Sequence, residues 1–385
     1  MEAIILAGGL GTRLRSVVSD VPKPMAPVNG EPFLNYILDE LNYYNFNHVI
    51  LCVGYKKEVI MDYYKDSYKN IKISYSIEEE SLGTGGAIKK AMSLALDDMV
   101  FVLNGDTIFK VDFNKIKESN KISIACKYME DFDRYGEVKI KDSIIQSFEE
   151  KCHVDKGYIN GGIYYLPKNI FDKFELPHKF SLEADFFTPY MKELGITAYM
   201  TNSYFLDIGI PSDYSKAQDD FKKKKALFLD RDGIINIDYG HVHTIDKFKF
   251  TPFIFDLAKK YYDLGYLIIV ITNQAGVAKG LYPIEDVYTI NSYMMQEFKK
   301  HGIEITSIYF CPHKDSDNCR CRKPMPGMYL DAIHDFNIDP VKSIAIGDKT
   351  SDLIAANKAG VGKLYFVKTE YEEEKVDFEY ERLEF

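Results

Sequence analysis

The sequence predicts an α/β protein of two domains, each built on a mostly parallel sheet with helices on both faces. Three observations carry this prediction. The chain has 385 residues, and a domain usually holds about 100 to 200. Short apolar runs alternate with helix-like stretches, which is typical of parallel sheets covered by helices. The alternation starts again after the charge run that ends at Lys225.

Each predicted element follows from a local pattern. In the first half, strands are predicted over Ala3–Leu6, Val49–Val53 and Val100–Leu103, with helices over Phe33–Leu41 and Ala87–Leu96. In the second half, strands are predicted over Ala226–Leu229, Leu267–Ile271 and Ser343–Ile346. The lysine run separates the halves, so we expect domains at residues 1–222 and 223–385.

Composition excludes several classes of protein. Lys and Arg number 48 against 58 Asp and Glu, and the net charge of −10 argues against a nucleic-acid partner. The apolar run near the start is far shorter than the ~20 residues of a membrane span. Glu2 stands where a signal peptide has basic residues, so we expect a cytoplasmic protein that does not contact membranes. Homo-oligomer formation stays open.

Glycines follow the first predicted strand, in the run Gly8-Gly9-Leu10-Gly11-Thr12-Arg13-Leu14. Backbone N–H groups of such a loop can approach phosphate oxygens, and the start of a following helix adds a favourable dipole. Arg13 adds a fork-shaped phosphate donor. The Walker A pattern is excluded because Gly-Lys-Ser/Thr is missing, and the dinucleotide fingerprint because Leu14 replaces its third glycine. Taken alone, the loop fits a phosphate site or a tight structural turn.

Lys23-Pro24 follows, and with the glycine loop it resembles the signature of the sugar-1-phosphate nucleotidyltransferase family. Five further segments match that family in order: Leu82–Ala87, Asn104–Asp106, Phe148–Lys151, Asn160–Ile163 and Asp207–Pro211. The resemblance implies that the triphosphate is bound by Gly8, Gly9, Gly11, Thr12 and Arg13, with Arg13 and Lys23 as catalytic cations. It also implies that Gly83 and Thr84 bind the nucleotide, and that Glu149, Lys151, Asn160, Gly161 and Glu183 bind the sugar phosphate.

The family's reaction brings several negative charges together. A sugar 1-phosphate oxygen attacks the α-phosphorus of a nucleoside triphosphate, and pyrophosphate leaves. The resemblance implies that Asp106 and Asp207 hold a Mg²⁺ between the α-phosphate and the sugar phosphate. No covalent nucleophile is needed, because positioning and charge stabilisation supply most of the rate.

Asp230-Arg231-Asp232-Gly233 ends the first strand of the second half. Two carboxylates at this spacing, at a strand's carboxyl end, can share one Mg²⁺ and one phosphoryl group. Asp230 is the predicted nucleophile and forms an aspartyl phosphate. Asp232 is predicted to protonate the leaving oxygen and then to take a proton from water. By itself the motif also occurs in turns and Ca²⁺ loops.

Three later segments complete an ordered set that resembles the haloacid dehalogenase superfamily, whose fold is a doubly wound sheet. Ligands of such sheets lie beyond the carboxyl ends of the strands. The resemblance implies that Thr272 binds phosphate, that Asn273 contacts substrate and that Lys323 faces the nucleophile. It also implies that the segment Asp348–Asp352 supplies carboxylates for Mg²⁺. The implied Mg²⁺ ligands are Asp230, Asp232 and Asp348.

Four soft ligands lie close together in the sequence: Cys311, His313, Cys319 and Cys321. Three thiolates and one imidazole form a closed tetrahedral set, which is typical of structural Zn²⁺. Because no ligand position is left open, we expect this zinc to brace the loop that leads to Lys323. Loose thiols or a disulfide are the alternative.

The cysteine-histidine set makes the second half similar to one branch of the haloacid dehalogenase superfamily, which has a zinc loop. This branch includes heptose bisphosphate and histidinol-phosphate phosphatases. The segments Asp232–His243 and Cys319–Met328 are more similar to the heptose enzymes, in which the arginine at the place of Arg322 contacts substrate. The first half most resembles D-glycero-D-manno-heptose 1-phosphate guanylyltransferases, through Pro22–Pro27 and Leu82–Ala87.

Together the resemblances imply a bifunctional enzyme. It removes the 7-phosphate from D-glycero-α-D-manno-heptose 1,7-bisphosphate, then transfers GMP from GTP to heptose 1-phosphate, giving GDP-heptose and pyrophosphate. One alternative is a nucleotidyltransferase that uses CTP, UTP or ATP, fused to a histidinol-phosphate-like or other phosphatase. A non-catalytic sugar-nucleotide sensor is disfavoured because Arg13, Asp106, Asp230 and Asp348 are all present.

Overall fold

The computed structural model describes residues 1–9, 14, 17–18, 20–368 and 376–383. The chain divides into two compact units, Met1–Phe221 and Lys222–Phe385. Within the described ranges, no helix is both long enough and apolar enough to cross a membrane.

The first unit combines short strands with short helices. Its described strands are Glu2–Leu6 (β1), Pro27–Val28 (β2), Glu31–Pro32 (β3), His48–Val53 (β4), Ser67–Tyr68 (β5), Ile71–Ile77 (β6), Met99–Asn104 (β7), Thr107–Phe109 (β8), Ser123–Phe132 (β9), Gly136–Lys141 (β10), Ile144–Lys151 (β11), Val154–Pro167 (β12), Thr197–Thr201 (β13) and Phe205–Asp207 (β14). Its α-helices are Phe33–Tyr43 (α1), Lys57–Tyr64 (α2), Gly83–Met92 (α3), Phe113–Glu118 (α4), Thr188–Leu194 (α5) and Pro211–Asp220 (α6), and a π-helix spans Leu182–Phe187.

The large sheet of this unit has the strand order β10-β11-β13-β9-β12-β7-β1-β4-β6-β5. Strands β7, β1, β4 and β6 are parallel, as the sequence predicts. The other half is mixed, because β12 pairs antiparallel with both β7 and β9. In this half the pairing departs from the predicted mostly parallel arrangement. The chain passes from β9 to β12 through the antiparallel pair β10 and β11, and the short connections between these strands favour antiparallel pairing.

Alternate residues of the central strands bury against helices on the two faces of this sheet. Ala3 and Ile5 belong to the core under α1, whereas Ile4 belongs to the core under α3. The predicted helix over Ala87–Leu96 begins earlier, at Gly83, and ends at Met92.

The second unit is a parallel sheet. Its described strands are Lys225–Leu229 (β15), Tyr266–Asn273 (β16), Ile305–Cys311 (β17), Ile344–Gly347 (β18), Lys363–Val367 (β19) and Glu381–Leu383 (β20), and its α-helices are Ile254–Asp263 (α7), Ile284–Lys300 (α8), Gly327–Phe336 (α9) and Thr350–Lys358 (α10). The order is β17-β16-β15-β18-β19-β20, and every pair is parallel. The prediction of an α/β sheet with helices on both faces is confirmed here, since Leu227 and Phe228 pack into different cores.

Two candidate active sites and a cysteine-histidine centre

The glycine loop of the first unit starts directly after β1. Ala7 donates its backbone N–H to the carbonyl of Cys52, which ties the loop to β4. A Cβ on Gly8 would lie 2.7 Å from Oε1 of Glu78, so glycine makes room for that carboxylate. Among the residues that the structure describes, no heavy atom lies within 4 Å of a Cβ built on Gly9. Gly11, Thr12 and Arg13 lie outside the described residues, and their phosphate-binding roles stay predictions.

Asp106 and Asp207 are brought together by two short strands. Asp106 follows β7, and β8 pairs antiparallel with β14, which places Asp207 opposite Thr107. The Lys23 ammonium hydrogen-bonds to Asp106 and lies 3.3 Å from Oδ1 of Asp207. Burial, and then the charge of Asp106, raise the pKa of Asp207. Two converging carboxylates with one ammonium make a site that accepts a cation.

The predicted sugar contacts Asn160 and Glu183 form a partly buried hydrogen-bonded group. Nδ2 of Asn160 donates to Oε1 of Glu183 at 2.5 Å, and the Tyr164 hydroxyl donates to the same oxygen at 2.9 Å. Burial, together with the negative charge of Glu183, raises the pKa of Tyr164 far above its ordinary value, so it remains a donor. Gly161 allows close packing, because a Cβ there would lie 2.3 Å from the ring of Phe109.

Gly83 and Thr84 open helix α3 beside the same segment. Gly83 has a φ of +71°, and a Cβ there would lie 2.5 Å from the carbonyl oxygen of Phe180. The Thr84 hydroxyl accepts the backbone N–H of Leu182 at 2.9 Å. The predicted nucleotide segment therefore also anchors the π-helix that carries Glu183.

Glu149 and Lys151 lie exposed on β11. Glu149 accepts a hydrogen bond from the Ser147 hydroxyl. Within the described chain, neither residue is hydrogen-bonded to Asn160 or Glu183, so the structure does not bring all predicted sugar contacts together. Their roles stay predictions.

Arg134 is a basic residue of the first unit that sequence reasoning missed. It follows β9, and its Nη1 lies 2.7 Å from Oδ2 of Asp213. Burial acts to lower the pKa of Arg134, but the hydrogen bond to Asp213 and the charges of Tyr135, Asp213 and Asp207 together raise it above its ordinary value. No motif surrounds Arg134 in the sequence, so its nearness to the acid pair could be found only from the fold.

In the second unit, predicted residues meet at the carboxyl ends of parallel strands. Asp230 follows β15, Thr272 and Asn273 end β16, and Asp348 follows β18. Asn273 and Lys323 are joined by two hydrogen bonds of 3.1 Å between the asparagine amide and the lysine backbone. The strand ends therefore gather the motifs at one edge of the sheet.

Lys323 is the cation of this edge. Its buried ammonium lies 2.8 Å from Oδ1 of Asp230 and 2.7 Å from Oδ1 of Asp352, and it donates to the carbonyl of Ile271 at 2.7 Å. Burial alone would lower the pKa of Lys323, but the charges of Asp230 and Asp352 raise it above its ordinary value. The lysine stays charged against the predicted nucleophile.

Three buried carboxylates, those of Asp230, Asp348 and Asp352, offer oxygens within 4.8 Å of one another. Burial raises the pKa of Asp230 to about 6, against the opposing charge of Lys323. Burial and the charges of Asp230 and Asp352 raise the pKa of Asp348 to about 8. Clustered, desolvated carboxyl oxygens of this kind suit Mg²⁺. Gly233 has a φ of +98°, and a Cβ at this position would lie 2.1 Å from Oδ2 of Asp348. Glycine therefore leaves room for the Asp348 carboxylate.

The carboxylate of Asp232 is not one of the three whose oxygens lie within 4.8 Å of one another, and its place in the predicted Mg²⁺ set stays a prediction. Its oxygens accept hydrogen bonds from Arg231, from Nδ2 of Asn236 at 3.0 Å and from Nε2 of Gln274 at 2.9 Å. Three side chains therefore hold the Asp232 carboxylate, and the third carboxylate of the cluster is that of Asp352. Asp352 lies in the segment that the sequence indicates for Mg²⁺. No sequence pattern indicates that Arg231 and Gln274 bind the Asp232 carboxylate.

Cys311, His313, Cys319 and Cys321 converge into one group that can hold a metal ion. The three sulfur–sulfur distances are 3.2, 3.3 and 3.5 Å, and Nδ1 of His313 lies 3.3 Å from the Cys321 sulfur. Although burial acts to raise it, hydrogen bonds from Cys321 and from the Arg322 backbone lower the pKa of Cys319 to about 7. The Cys319 thiol therefore loses its proton more readily than an ordinary cysteine, and a thiolate is the form that binds a metal ion.

Arg322 points back to this loop. Its Nε donates to Oδ1 of Asp315 at 2.5 Å, and Nη1 lies 3.4 Å from the carbonyl of His313. The predicted contact of Arg322 with substrate stays a prediction, and it requires the ion pair with exposed Asp315 to be exchanged for a ligand.

Two protein families match the chain. The family described as Nucleotidyl transferase matches residues 2–224. The family described as HAD-hydrolase-like matches residues 320–380. The first match spans more than half of the chain and includes every residue of the Lys23–Asp106–Asp207 group.

Relatives agree with both matches. The chain is 51% identical over 216 residues to a D-glycero-alpha-D-manno-heptose 1-phosphate guanylyltransferase of Campylobacter jejuni, a match that covers 56% of this chain and 97% of the relative. It is 45% identical over 151 residues to a D-glycero-alpha-D-manno-heptose-1,7-bisphosphate 7-phosphatase of the same strain, covering 39% of this chain and 87% of the relative.

A solved structure extends the likeness to the fold. The crystal structure of HddC from Yersinia pseudotuberculosis complexed with GMP-PN is 40% identical, with a TM-score of 0.52. The match covers 57% of this chain and 99% of that one. The chain therefore belongs to the nucleotidyl transferase family, and its C-terminal region belongs with the HAD-like heptose-bisphosphate phosphatases, so that one polypeptide is a fusion of two enzymes.

Proposed function

We propose that this chain catalyses two consecutive steps, the first at the Asp230 site and the second at the Asp106–Asp207 site. The substrate of the first step is D-glycero-α-D-manno-heptose 1,7-bisphosphate, which loses its 7-phosphate. The product, heptose 1-phosphate, then accepts GMP from GTP, giving GDP-heptose and pyrophosphate. The relatives in Campylobacter jejuni carry these two activities in their names, and both specify the α-anomer.

In the first step, an Asp230 oxygen attacks the phosphorus of the 7-phosphate, and the bond from phosphorus to the sugar oxygen breaks. Lys323, 2.8 Å from the nucleophile, keeps Asp230 ionised and neutralises the phosphoryl oxygens. Asp232 gives its proton to the leaving oxygen. Water then attacks the aspartyl phosphate, returns a proton to Asp232 and releases orthophosphate. Thr272 and Asn273, at the end of β16, are the predicted contacts for phosphate and sugar.

In the second step, a phosphate oxygen of heptose 1-phosphate attacks the α-phosphorus of GTP, and pyrophosphate leaves. Gly8 and Gly9 supply close backbone approach, and Lys23 supplies positive charge. Asn160 and Glu183, held by Tyr164, offer a polar pair for sugar hydroxyls. The choice of GTP rests on the guanylyltransferase relative and on the HddC complex with GMP-PN.

Divalent metal fits both sites. Asp106 and Asp207 would hold Mg²⁺ in the first unit, and Asp230, Asp348 and Asp352 would hold it in the second. Bound Mg²⁺ offsets the charge that builds up on transferring phosphoryl groups. In the first unit, the carboxylates already converge on a cation, the Lys23 ammonium, so a metal there would free the lysine for phosphate.

Zinc fits the cysteine-histidine centre. With Zn–S bonds of about 2.3 Å, a tetrahedral site separates its sulfurs by about 3.8 Å. The observed separations of 3.2 to 3.5 Å lie just below this value. The set is closed, so the ion would be structural. It would hold the loop that presents Arg322 and Lys323.

The observation that carries the proposal is the pairing of Lys323 with Asp230 in one unit and of Lys23 with Asp106 and Asp207 in the other. The test is an assay with Mg²⁺, the bisphosphate and, separately, GTP, ATP, CTP or UTP. We expect orthophosphate in every mixture, and pyrophosphate with a GDP-heptose mass only with GTP. Pyrophosphate with another nucleotide would overturn the choice of base, and absence of orthophosphate would overturn the phosphatase.

Variants separate the two steps. Asp230→Asn removes the nucleophile, so orthophosphate release should fall by at least about a thousandfold, while GMP transfer to supplied heptose 1-phosphate stays within about twofold. Asp106→Asn should do the reverse. A folded variant that loses both activities together would contradict two independent sites.

A further inference from the structure

A buried hydrogen-bond network holds the carboxylate of Asp232, which is not one of the three clustered carboxylates. Nε and Nη2 of Arg231 lie 3.2 and 2.9 Å from Oδ2 of Asp232, and Nε2 of Gln274 lies 2.9 Å from the same oxygen. Asn236 donates to Oδ1 at 3.0 Å. Arg231 and Asn236 are fully buried and Gln274 is 2% exposed. So many donors on one short side chain leave its carboxylate little freedom to turn.

Gln274 is itself oriented, because its two ends meet opposite partners. Its Oε1 accepts from the Tyr282 hydroxyl at 2.9 Å and from Nη2 of Arg231 at 3.1 Å. Its Nε2 donates to Asp232 and, at 2.9 Å, to Oγ1 of Thr272. Turning the amide over would place its oxygen against the carboxylate and its NH₂ against two donors. Tyr282 and Arg231 thus decide which end of Gln274 faces Asp232.

Tyr282 is fixed in turn by the elements around it. Its ring is stacked on that of His243, with centroids 4.8 Å apart and planes inclined by 8°. A Cβ on Gly276 would lie 2.1 Å from the tyrosine ring, so the ring rests directly on that backbone. In this position the hydroxyl donates to Oε1 of Gln274 at 2.9 Å.

We infer that Tyr282 and Gln274 are positioning residues for Asp232, which orient its carboxyl group for proton transfer to the leaving sugar oxygen. Neither touches the Asp230 cluster in the structure. Their effect passes through Asp232, because a proton donor is efficient only when it is held within hydrogen-bond reach of its acceptor. This inference rests on the proposed phosphatase function and names two residues that the proposal does not use.

Substrates with different leaving groups can test whether these residues act through proton transfer. An alcohol such as the sugar hydroxyl is a poor leaving group unless it is protonated, whereas p-nitrophenolate leaves without a proton. A defect confined to proton transfer therefore lowers kcat/KM for the sugar bisphosphate and spares p-nitrophenyl phosphate. The ratio kcat/KM reports only the steps up to release of the leaving group, so the later hydrolysis of the aspartyl phosphate does not enter.

The variants are Tyr282→Phe and Gln274→Met in the full chain, assayed on the heptose bisphosphate and on p-nitrophenyl phosphate. General acid catalysis contributes about 10² to 10⁴-fold. We expect Gln274→Met to lose about a hundredfold and Tyr282→Phe about tenfold on the bisphosphate, each within about threefold of wild type on the aryl ester. Inhibition by inorganic phosphate should be unchanged in Tyr282→Phe, since Tyr282 is not hydrogen-bonded to the predicted phosphate contact Thr272, whereas Gln274 is.

The matched control is Tyr309→Phe, which removes another hydroxyl of this unit that donates to Asp335 at 2.6 Å. It should leave both substrates unaffected. Equal losses on both substrates in Tyr282→Phe would overturn the inference and assign the tyrosine a purely structural role. Should Gln274→Met fail to fold, Tyr282→Phe alone decides. A wild-type chain that hydrolyses neither substrate would overturn the proposed phosphatase itself, which is a distinct result.

Discussion

At the scale of single residues, Lys323 shows how one cation holds a site together. Its ammonium is buried among Asp230, Asp352 and a backbone carbonyl, with Asp348 close by. Three desolvated carboxylates repel one another strongly. The lysine is therefore both a partner of the predicted nucleophile and a condition for folding this edge of the sheet.

Lys323→Met should abolish orthophosphate release and lower the free energy of unfolding of the second unit by about 3 to 5 kcal/mol, because a buried charge loses its partner. Added Mg²⁺ should restore part of that stability. The control is Lys342→Met, whose ion pair with Asp339 at 3.1 Å is exposed on the lysine side and should cost about 1 kcal/mol or less. Denaturant unfolding with and without Mg²⁺ measures both, and equal shifts would contradict the role of Lys323.

At the scale of elements, Glu2 joins three parts of the first unit. It stands at the start of β1, and its buried carboxylate accepts the N–H groups of Leu96 and Asp97, each at 2.6 Å. Nδ1 of His48, at the start of β4, lies 2.6 Å from its other oxygen. One side chain thus fastens the segment after α3 to the ends of two central strands.

Burial alone would raise the pKa of Glu2, but the hydrogen bonds from Asp97, His48 and Leu96 outweigh it, and this pKa is lowered. The stabilisation is therefore complete above the ordinary pKa of 4.5 and is lost as pH falls through the folded value. Glu2→Gln should cost about 1 to 3 kcal/mol near neutral pH and should flatten the fall of stability in acid.

Urea unfolding of the full chain between pH 3 and pH 7, with hydrogen exchange followed in β1 and β4, reports this effect. Exposed Glu58 supplies the control Glu58→Gln. An acid limb of the same steepness in Glu2→Gln and in wild type would rule out the role of this carboxylate.

At the scale of the whole molecule, the two units differ in their dependence on the cysteine-histidine centre. Only the second unit contains it, and its loop leads directly to Lys323. Removing zinc with a chelator, with Mg²⁺ in excess, should lower orthophosphate release by at least about tenfold and spare GMP transfer to heptose 1-phosphate.

Cys319→Ser should reproduce that selective loss, and its control is Cys152→Ser, which changes an exposed cysteine of the first unit. Metal analysis should show about one zinc per wild-type chain and its absence in Cys319→Ser. Zinc bound with unchanged stoichiometry in Cys319→Ser, or equal loss of both activities, would speak against a local structural ion.

Much of this organisation could be predicted from sequence, because buried parallel strands are short apolar runs and their carboxyl ends meet at one edge. Asp230, Thr272 and Asp348 lie at that edge, where the sequence predicts them. The mixed half of the first sheet was missed, since the apolar runs of the first half do not show how strands pair. Tyr164, Arg134 and Tyr282 carry no motif, and only the fold brings them to their partners.

Side-chain contacts in the fold go beyond what the sequence indicates at two further positions. His48 is buried against Glu2. Asp232 accepts hydrogen bonds from Arg231 and Gln274, which its motif does not indicate. In both cases the deciding partner lies far along the chain or is a neighbour whose direction depends on the fold.

The Lys23 ammonium between Asp106 and Asp207 has a thermodynamic consequence for the order of ligands. A divalent cation at the proposed Mg²⁺ site would compete with the ammonium, so its apparent affinity would include the cost of displacing a built-in counter-ion. The displaced ammonium would then be available to a polyanion. Under the proposed function, metal and triphosphate would therefore be linked ligands, each raising the affinity for the other by the same factor.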